Sequence, residues 1–175
     1  MRVFCPRISI RHARLPAELA EVVAIFREYV ISPTVNLDFQ DYEAEFAALP
    51  GPYAQPEGRL LLAWQDSTVM GCAALRKVDH LRCELKRVYV RPAARGARVG
   101  RRLVESMMDE ARCAGYRRMC LDVLPEFVAA QALYRSLGFT PAEPVSHNPI
   151  PGTQFLACDL TAPSDLQRGR CKHHG

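Results

Sequence analysis

The sequence has no C-x-x-C pair, no apolar stretch of membrane-spanning length, no internal repeat and no low-complexity linker. Each absence closes off a class of protein. A bilayer-crossing helix needs about 20 consecutive apolar residues, and no such run occurs. The opening Met1-Arg2-Val3-Phe4-Cys5-Pro6 lacks the apolar core of a secretion signal. The seven cysteines are an odd number scattered without metal-ligand spacing. That pattern suits reduced thiols, buried as small hydrophobes, better than a disulfide framework or a metal site. Two nucleotide-binding signatures are also missing: G-x-x-x-x-G-K-[ST] for a nucleoside triphosphate and G-x-G-x-x-G for a dinucleotide. The expectation is a soluble, cytoplasmic protein without a metal.

What is present is enough for one buried core. The 175 residues are 49% hydrophobic and 24% charged, the composition of a single globular domain. We assign that domain to residues 1–160 and expect residues 161–175, which have little to bury, to be a disordered tail. The His173-His174 pair in it is too short and isolated for a metal site. The net charge of +4 is too mild to imply a nucleic acid by itself. The basic residues nevertheless gather between Arg82 and Arg102, which asks for an anionic partner such as a phosphate-bearing ligand.

Residues 7–13 alternate apolar and polar and predict a strand. Pro16 is expected to open a helix carrying Leu19, Val22, Val23, Phe26, Tyr29 and Val30 on one face, stopped by Pro33. A second helix is expected from Gln40 to Leu49. Arg59–Trp64 and Thr68–Leu75 read as a hairpin. In the strand Cys83–Val90, Cys83 and Leu85 share one parity while Val88 and Val90 share the other. A β-bulge produces such a switch, because one extra residue flips the side chains that follow it. Then come a helix through Leu103, Val104, Met107, Met108 and Ala111, a strand at Met119–Val123, a helix at Ala129–Leu137 and a last strand at Thr153–Leu160. The order β-α-α-β-β-β-α-β-α-(β)-β predicts one α/β domain with a mixed, largely antiparallel sheet flanked by helices.

The segment after the bulged strand carries the chemistry. It is an arginine-rich turn, Arg95-Gly96-Ala97-Arg98-Val99-Gly100, leading into a helix. A helix N-terminus offers unpaired N–H groups and the positive end of a dipole, and the two together bind phosphate oxygens. Gly96 and Gly100 lack a Cβ, so a diphosphate can approach the backbone closely. This turn, together with Ala-x-x-Leu-Tyr-x-x-x-Gly-Phe at Ala130–Phe139, resembles the GNAT acetyltransferase superfamily. The segments Cys83–Arg87, Leu121-Asp122 with Leu124-Pro125 and Asn148-Pro149 with Pro151-Gly152 are similar to one bacterial branch of it, generally without an assigned substrate. The resemblance covers about residues 7–160.

What it implies is an acetyl-CoA-dependent N-acetyltransferase, with acetyl-CoA as co-substrate and a primary amine as acceptor. Backbone groups of Val88 and Val90, around Tyr89, are expected to pair with the pantetheine arm. The N–H groups of Arg95, Gly96, Ala97, Arg98, Val99, Gly100 and Arg101 are expected to cradle the pyrophosphate. Tyr134 is expected to point its hydroxyl at the thioester sulfur. Arg98 stands where the family has its first glycine, and Phe127 where it often has asparagine; with Ala130 they complete the expected cofactor contacts. Glu84 is expected as the general base, the alternative being an ion pair with Lys86, Arg87 or another cation. Asp122 is a candidate for the substrate's ammonium, against a cap or ion pair, and His147 for the acceptor pocket, against a solvated loop position. A non-catalytic acetyl-CoA-binding module and, further off, a basic nucleic-acid-binding protein are the rival readings; a homodimer is left open.

Overall fold

The alternation and the 3.6-residue spacing of the apolar residues generate the secondary structure. In the computed structural model, which describes residues 7–161, the strands are β1 (Ile8–His12), β2 (Arg59–Gln65), β3 (Thr68–Lys77), β4 (Arg82–Val90), β5 (Arg118–Val123), β6 (Thr140–Pro141) and β7 (Gln154–Asp159). The helices are α1 (Leu19–Ile31), α2 (Tyr42–Ala47), α3 (Val99–Cys113) and α4 (Val128–Ser136). The expected tail, with His173-His174, lies outside the described residues apart from Thr161. No described helix is long and apolar enough to cross a membrane.

The strands form one seven-stranded sheet in the order β1-β2-β3-β4-β5-β7-β6. Every neighbouring pair is antiparallel except β4–β5, which is parallel. On one face the stripe Leu103, Met107 and Ala111 of α3 packs with Leu61, Leu75 and Cys83 of the sheet, and Tyr134 of α4 joins the same cluster. On the other, Val22, Ile25 and Phe26 of α1 pack on Leu62, Cys72 and Ala74. Phe26 is fully buried, and a core phenylalanine of this kind contributes about 3–5 kcal/mol against truncation to alanine.

The structure differs from the sequence expectation at two helix starts. Pro16 lies in the turn before α1, where the Leu19 N–H donates to its carbonyl. The buried stripe is completed by Ile25, with Val23 only half-buried, because the i, i+3, i+4 rows run through residues 22, 25, 26 and 30. The expected helix from Gln40 is broken by Asp41, whose φ of 48° separates a 3₁₀ turn at Asp38–Gln40 from α2.

The bulge in β4 sits at Arg87. Cys72 pairs with Tyr89 and Ala74 with Lys86, so three steps on β4 face two on β3. Arg87 takes the extra position with a φ of 57°. The parity switch keeps Val88 and Val90 on the α3 face beside Leu85 and sends Arg87 to the opposite face. There its buried guanidinium donates to Glu45 Oε2 at 2.9 Å and to Gln40 Oε1 at 2.6 Å. It also lies 5.4 Å from the centre of the Tyr29 ring. The bulge is thereby tied to α1, to α2 and to the turn between them.

Candidate active site

The site begins where the sheet parts. β4 and β5 are registered only over Arg82–Arg118, Cys83–Met119 and Glu84–Cys120. β4 continues to Val90 and β5 to Val123 without a partner for each other, so the facing backbone edge of β4 is open. The loop after β4 is held by Arg91, which donates through Nη2 to Glu28 at 2.7 Å and through Nη1 to the Val69 carbonyl at 2.6 Å. Gly96 then turns with a φ of 86° and Arg98 with a φ of 57°. No side chain caps the start of α3, so its first-turn N–H groups face outward without intrahelical partners.

These elements enclose a groove of about 760 Å³, within the range of about 300–1,000 Å³ usual for ligand sites. Its β4 wall is Val88, Tyr89 and Val90; the loop adds Arg95, Gly96 and Arg98. Val99, Gly100 and Arg101 form the end at α3, and Phe127, Ala130, Leu133 and Tyr134 form the far wall. Of the residues expected around the cofactor, Ala97 alone is off the lining. A Cβ on Gly100 would meet nothing closer than Val90 Cγ2 at 3.6 Å and Leu133 Cδ2 at 3.7 Å. The fold itself therefore tolerates alanine there, and the groove is what gains from the missing methyl.

A second, polar cavity of about 50 Å³ adjoins the groove; the two share Tyr29, Val88, Phe127, Ala130 and Tyr134. Gln40, Lys86, Arg87, Asp122 and Asn148 give it its polarity. Tyr134 stands at the junction, its ring 5.6 Å from that of Phe139. Its hydroxyl has no hydrogen-bond partner among the described residues. Burial, and then the nearby Tyr29 and Asp122, push its pKa well above the ordinary value, so the phenol keeps its proton and remains a donor. Asp122 accepts from Asn148 Nδ2 at 2.7 Å. The orientation of Asn148 is fixed by the Ile150 N–H at 3.1 Å and the Thr153 hydroxyl at 3.3 Å, both donating to its Oδ1.

Glu84 lines neither cavity. It is 1% exposed, and its Oε2 accepts from Arg76 Nε at 2.8 Å while its Oε1 accepts from the Ser146 hydroxyl at 2.7 Å. The Lys86 ammonium is farther, at 3.9 Å. His147 packs edge-on against Phe39, with ring centres 6.4 Å apart, and is off both linings. Sequence reasoning missed Tyr29, Gln40 and Asn148. Each comes from a segment remote from the two cofactor motifs, and no local pattern assigns it to the site.

Much of the basic cluster is internally neutralised. Arg82 pairs with Asp79, Arg87 with Glu45, Arg91 with Glu28 and Arg101 with Glu105. Arg102 donates to the Ile8 carbonyl. Arg95 and Arg98 have no carboxylate partner among the described residues, and both line the groove. Apart from Arg102, the arginine charge of the cluster that no described carboxylate pairs with therefore lies along the groove.

Comparison with known proteins follows the same residues. Positions 22–139 match the profile of the Acetyltransferase (GNAT) family. An uncharacterized N-acetyltransferase of Schizosaccharomyces pombe is 35% identical over 156 residues, covering 88% of this chain and 96% of that protein. IAA acetyltransferase of Azospirillum brasilense is 38% identical over 105 residues, covering 59% of this chain and 69% of that protein. Among solved structures, a GNAT acetyltransferase of Staphylococcus aureus shares the fold with a TM-score of 0.74 at 18% identity, covering 88% of this chain and 99% of that one. The yncA protein of Salmonella typhimurium, solved with its cofactor acetyl-CoA, gives a TM-score of 0.62 at 26% identity, covering 90% and 96%.

Proposed function

Because the chain belongs to the Acetyltransferase (GNAT) family and is an acyltransferase, we propose that its groove holds acetyl-CoA and its small polar cavity holds the primary amine that receives the acetyl group. Acetyl-CoA brings a thioester, which is an electrophilic carbonyl on a sulfur leaving group. The open edge of β4 at Val88 and Val90 pairs with the amides of the pantetheine arm. The N–H groups from Arg95 to Arg101 take the pyrophosphate, and the Arg95 and Arg98 guanidiniums supply charge beside it.

The transfer is a direct attack. An amine reacts only as the free base, although a typical ammonium has a pKa of about 10. The nitrogen lone pair forms the C–N bond, the C–S bond breaks, and the electron pair leaves on sulfur. Tyr134 donates a hydrogen bond to that sulfur. The nitrogen sheds its proton to Asp122, the carboxylate on the cavity wall, which returns it to solvent. The thiolate takes a proton from Tyr134, which is reprotonated from solvent, so the products are an amide and CoA thiol. Glu84 stands behind the cavity as the partner of Arg76 and Ser146; we assign it to holding β3, β4 and the last loop together. A reducing, cytoplasmic compartment fits the buried thiols of Cys72 and Cys83.

The observation that carries this reading is the unpartnered Tyr134 hydroxyl at the meeting of the two cavities. It is tested by titrating the protein with acetyl-CoA and following CoA-thiol release with a panel of primary amines. Binding without turnover for any amine would leave a binding module, and absence of both would remove the assignment.

A further inference from the structure

The small cavity has a charge pattern of its own. Two of its neighbouring carboxylates are already spoken for: Glu84 by Arg76 and Glu45 by Arg87. Two charges are left without a hydrogen-bonded counter-ion among the described residues, Lys86 and Asp122. The Lys86 side chain is only 10% exposed, yet its ammonium has no hydrogen-bond partner among the described residues. The nearest carboxylate oxygen, Glu84 Oε1, is 3.9 Å away and is already taken by Ser146. Asp122 uses one oxygen for Asn148, and no described residue bonds to the other. Lys86 and Asp122 do not pair with each other among the described ion pairs.

Buried polar groups are nearly always bonded, and a largely buried ammonium whose one described ionic contact is 3.9 Å from an already bonded carboxylate has donors to spare. The register explains how this one is placed. Glu84 and Cys120 are the last paired positions of β4 and β5. Two residues on, Lys86 and Asp122 take facing positions on the parting strands, and alternation puts them on the same side of the sheet as Glu84 and Cys120. One cation and one carboxylate thus flank a polar cavity that opens on Tyr134.

We propose that the acceptor is a small molecule bearing a carboxylate beside its amine, namely a free α-amino acid. Its carboxylate lies on Lys86 and its amino group on Asp122, which presents the nitrogen toward Tyr134 and the groove. This rests on the acetyltransferase reading and adds the substrate class. A peptide N-terminus is disfavoured, because an amide replaces the carboxylate that Lys86 requires. A polyamine is disfavoured too, because a second ammonium would face the Lys86 charge.

The test compares free L-α-amino acids with the corresponding amino-acid amides, in CoA-thiol release by the full chain and its Lys86→Met variant, with acetyl-CoA affinity measured by calorimetry. The acids should exceed their amides by about 10- to 100-fold in kcat/KM, as for loss of one charge-assisted hydrogen bond. Lys86→Met should collapse that ratio through KM, with acetyl-CoA affinity held. Equal use of acids and amides, or a ratio that survives Lys86→Met, overturns the amino-acid assignment and leaves acetyl transfer standing. Failure to bind acetyl-CoA, with no turnover of any amine, overturns both.

Discussion

The groove and the polar cavity share a wall but are built from different materials. The groove is largely backbone: an unpaired strand edge, a glycine turn and a helix start, framed by apolar side chains. The polar cavity is side chains from β4, β5, the turn before α2 and the last loop. A backbone site binds one ligand and constrains few residue types, so it fits a co-substrate whose chemistry does not vary. A side-chain site is altered by single substitutions and fits the partner that does. Substitutions in the groove should therefore change affinity for acetyl-CoA, and substitutions in the cavity should change KM for the acceptor or kcat without that affinity moving.

The widest separation is expected between Asp122 and Glu84. Asp122→Asn should lower kcat by about 10²- to 10⁴-fold, the range of a lost general base, without weakening acetyl-CoA binding. Glu84→Gln should lower the melting temperature and cost less than about tenfold in kcat. Steady-state rates beside thermal melts decide it, and the reverse ranking would return the base to Glu84. Next comes Tyr134→Phe, which retains the ring against Phe139 and removes only the hydroxyl. A loss of about 10²- to 10³-fold in kcat is expected, as for a deleted oxyanion donor. Since burial raises this phenol above its ordinary pKa of about 10, the wild-type rate should show no fall below that pH from loss of its proton. Unchanged kcat in the variant would reduce Tyr134 to packing.

Gly100→Ala probes the groove. The built Cβ has room within the protein, and alanine favours the helix by up to about 1 kcal/mol. Melting should hold or rise while acetyl-CoA binds about tenfold more weakly, a loss of about 1.4 kcal/mol; equal affinity would mean that the ligand does not approach this backbone. The smallest effect is expected for Arg98→Gly. A non-glycine residue in the left-handed region costs about 1–2 kcal/mol, so the variant should melt about 2–4 °C higher per kcal/mol recovered. Affinity for CoA should fall by about 1 kcal/mol, and this loss should shrink with added salt as screening grows. Tighter binding at every salt concentration would show that Arg98 points its charge away from the phosphates.

The same division explains what could be read in advance. The bulge was legible because Cys83 and Leu85 cannot share a face with Val88 and Val90 without an extra residue between them. The groove was legible through the family resemblance of the Arg95–Gly100 turn and the Ala130–Phe139 motif; by itself, the arginine-rich turn before a helix start asks only for an anionic ligand. The cavity was not. Gln40, Lys86, Asp122 and Asn148 meet only after the sheet has brought distant segments together, and nothing local marks Asn148 as the residue that orients Asp122. Glu84 was recognisable as a carboxylate on the right strand, but its closure by Arg76 and Ser146 depends on β3 and on a loop some 60 residues away. The start of α1 was misplaced for a smaller reason: a proline suits a first helical turn and the turn before it almost equally.

The parting of β4 from β5 after Glu84 has a spectroscopic consequence. Within a closed sheet, amide protons exchange with solvent only when the strands open. Along β4 beyond the last registered pair, every second amide points away from β3 into the groove. Those protons should exchange rapidly in the free protein, although they lie in the middle of a seven-stranded sheet flanked by slowly exchanging neighbours. A ligand that pairs with this edge would slow exchange at alternate residues only. The pattern of protection along Leu85–Val90 would then report, one peptide at a time, which part of the groove is occupied.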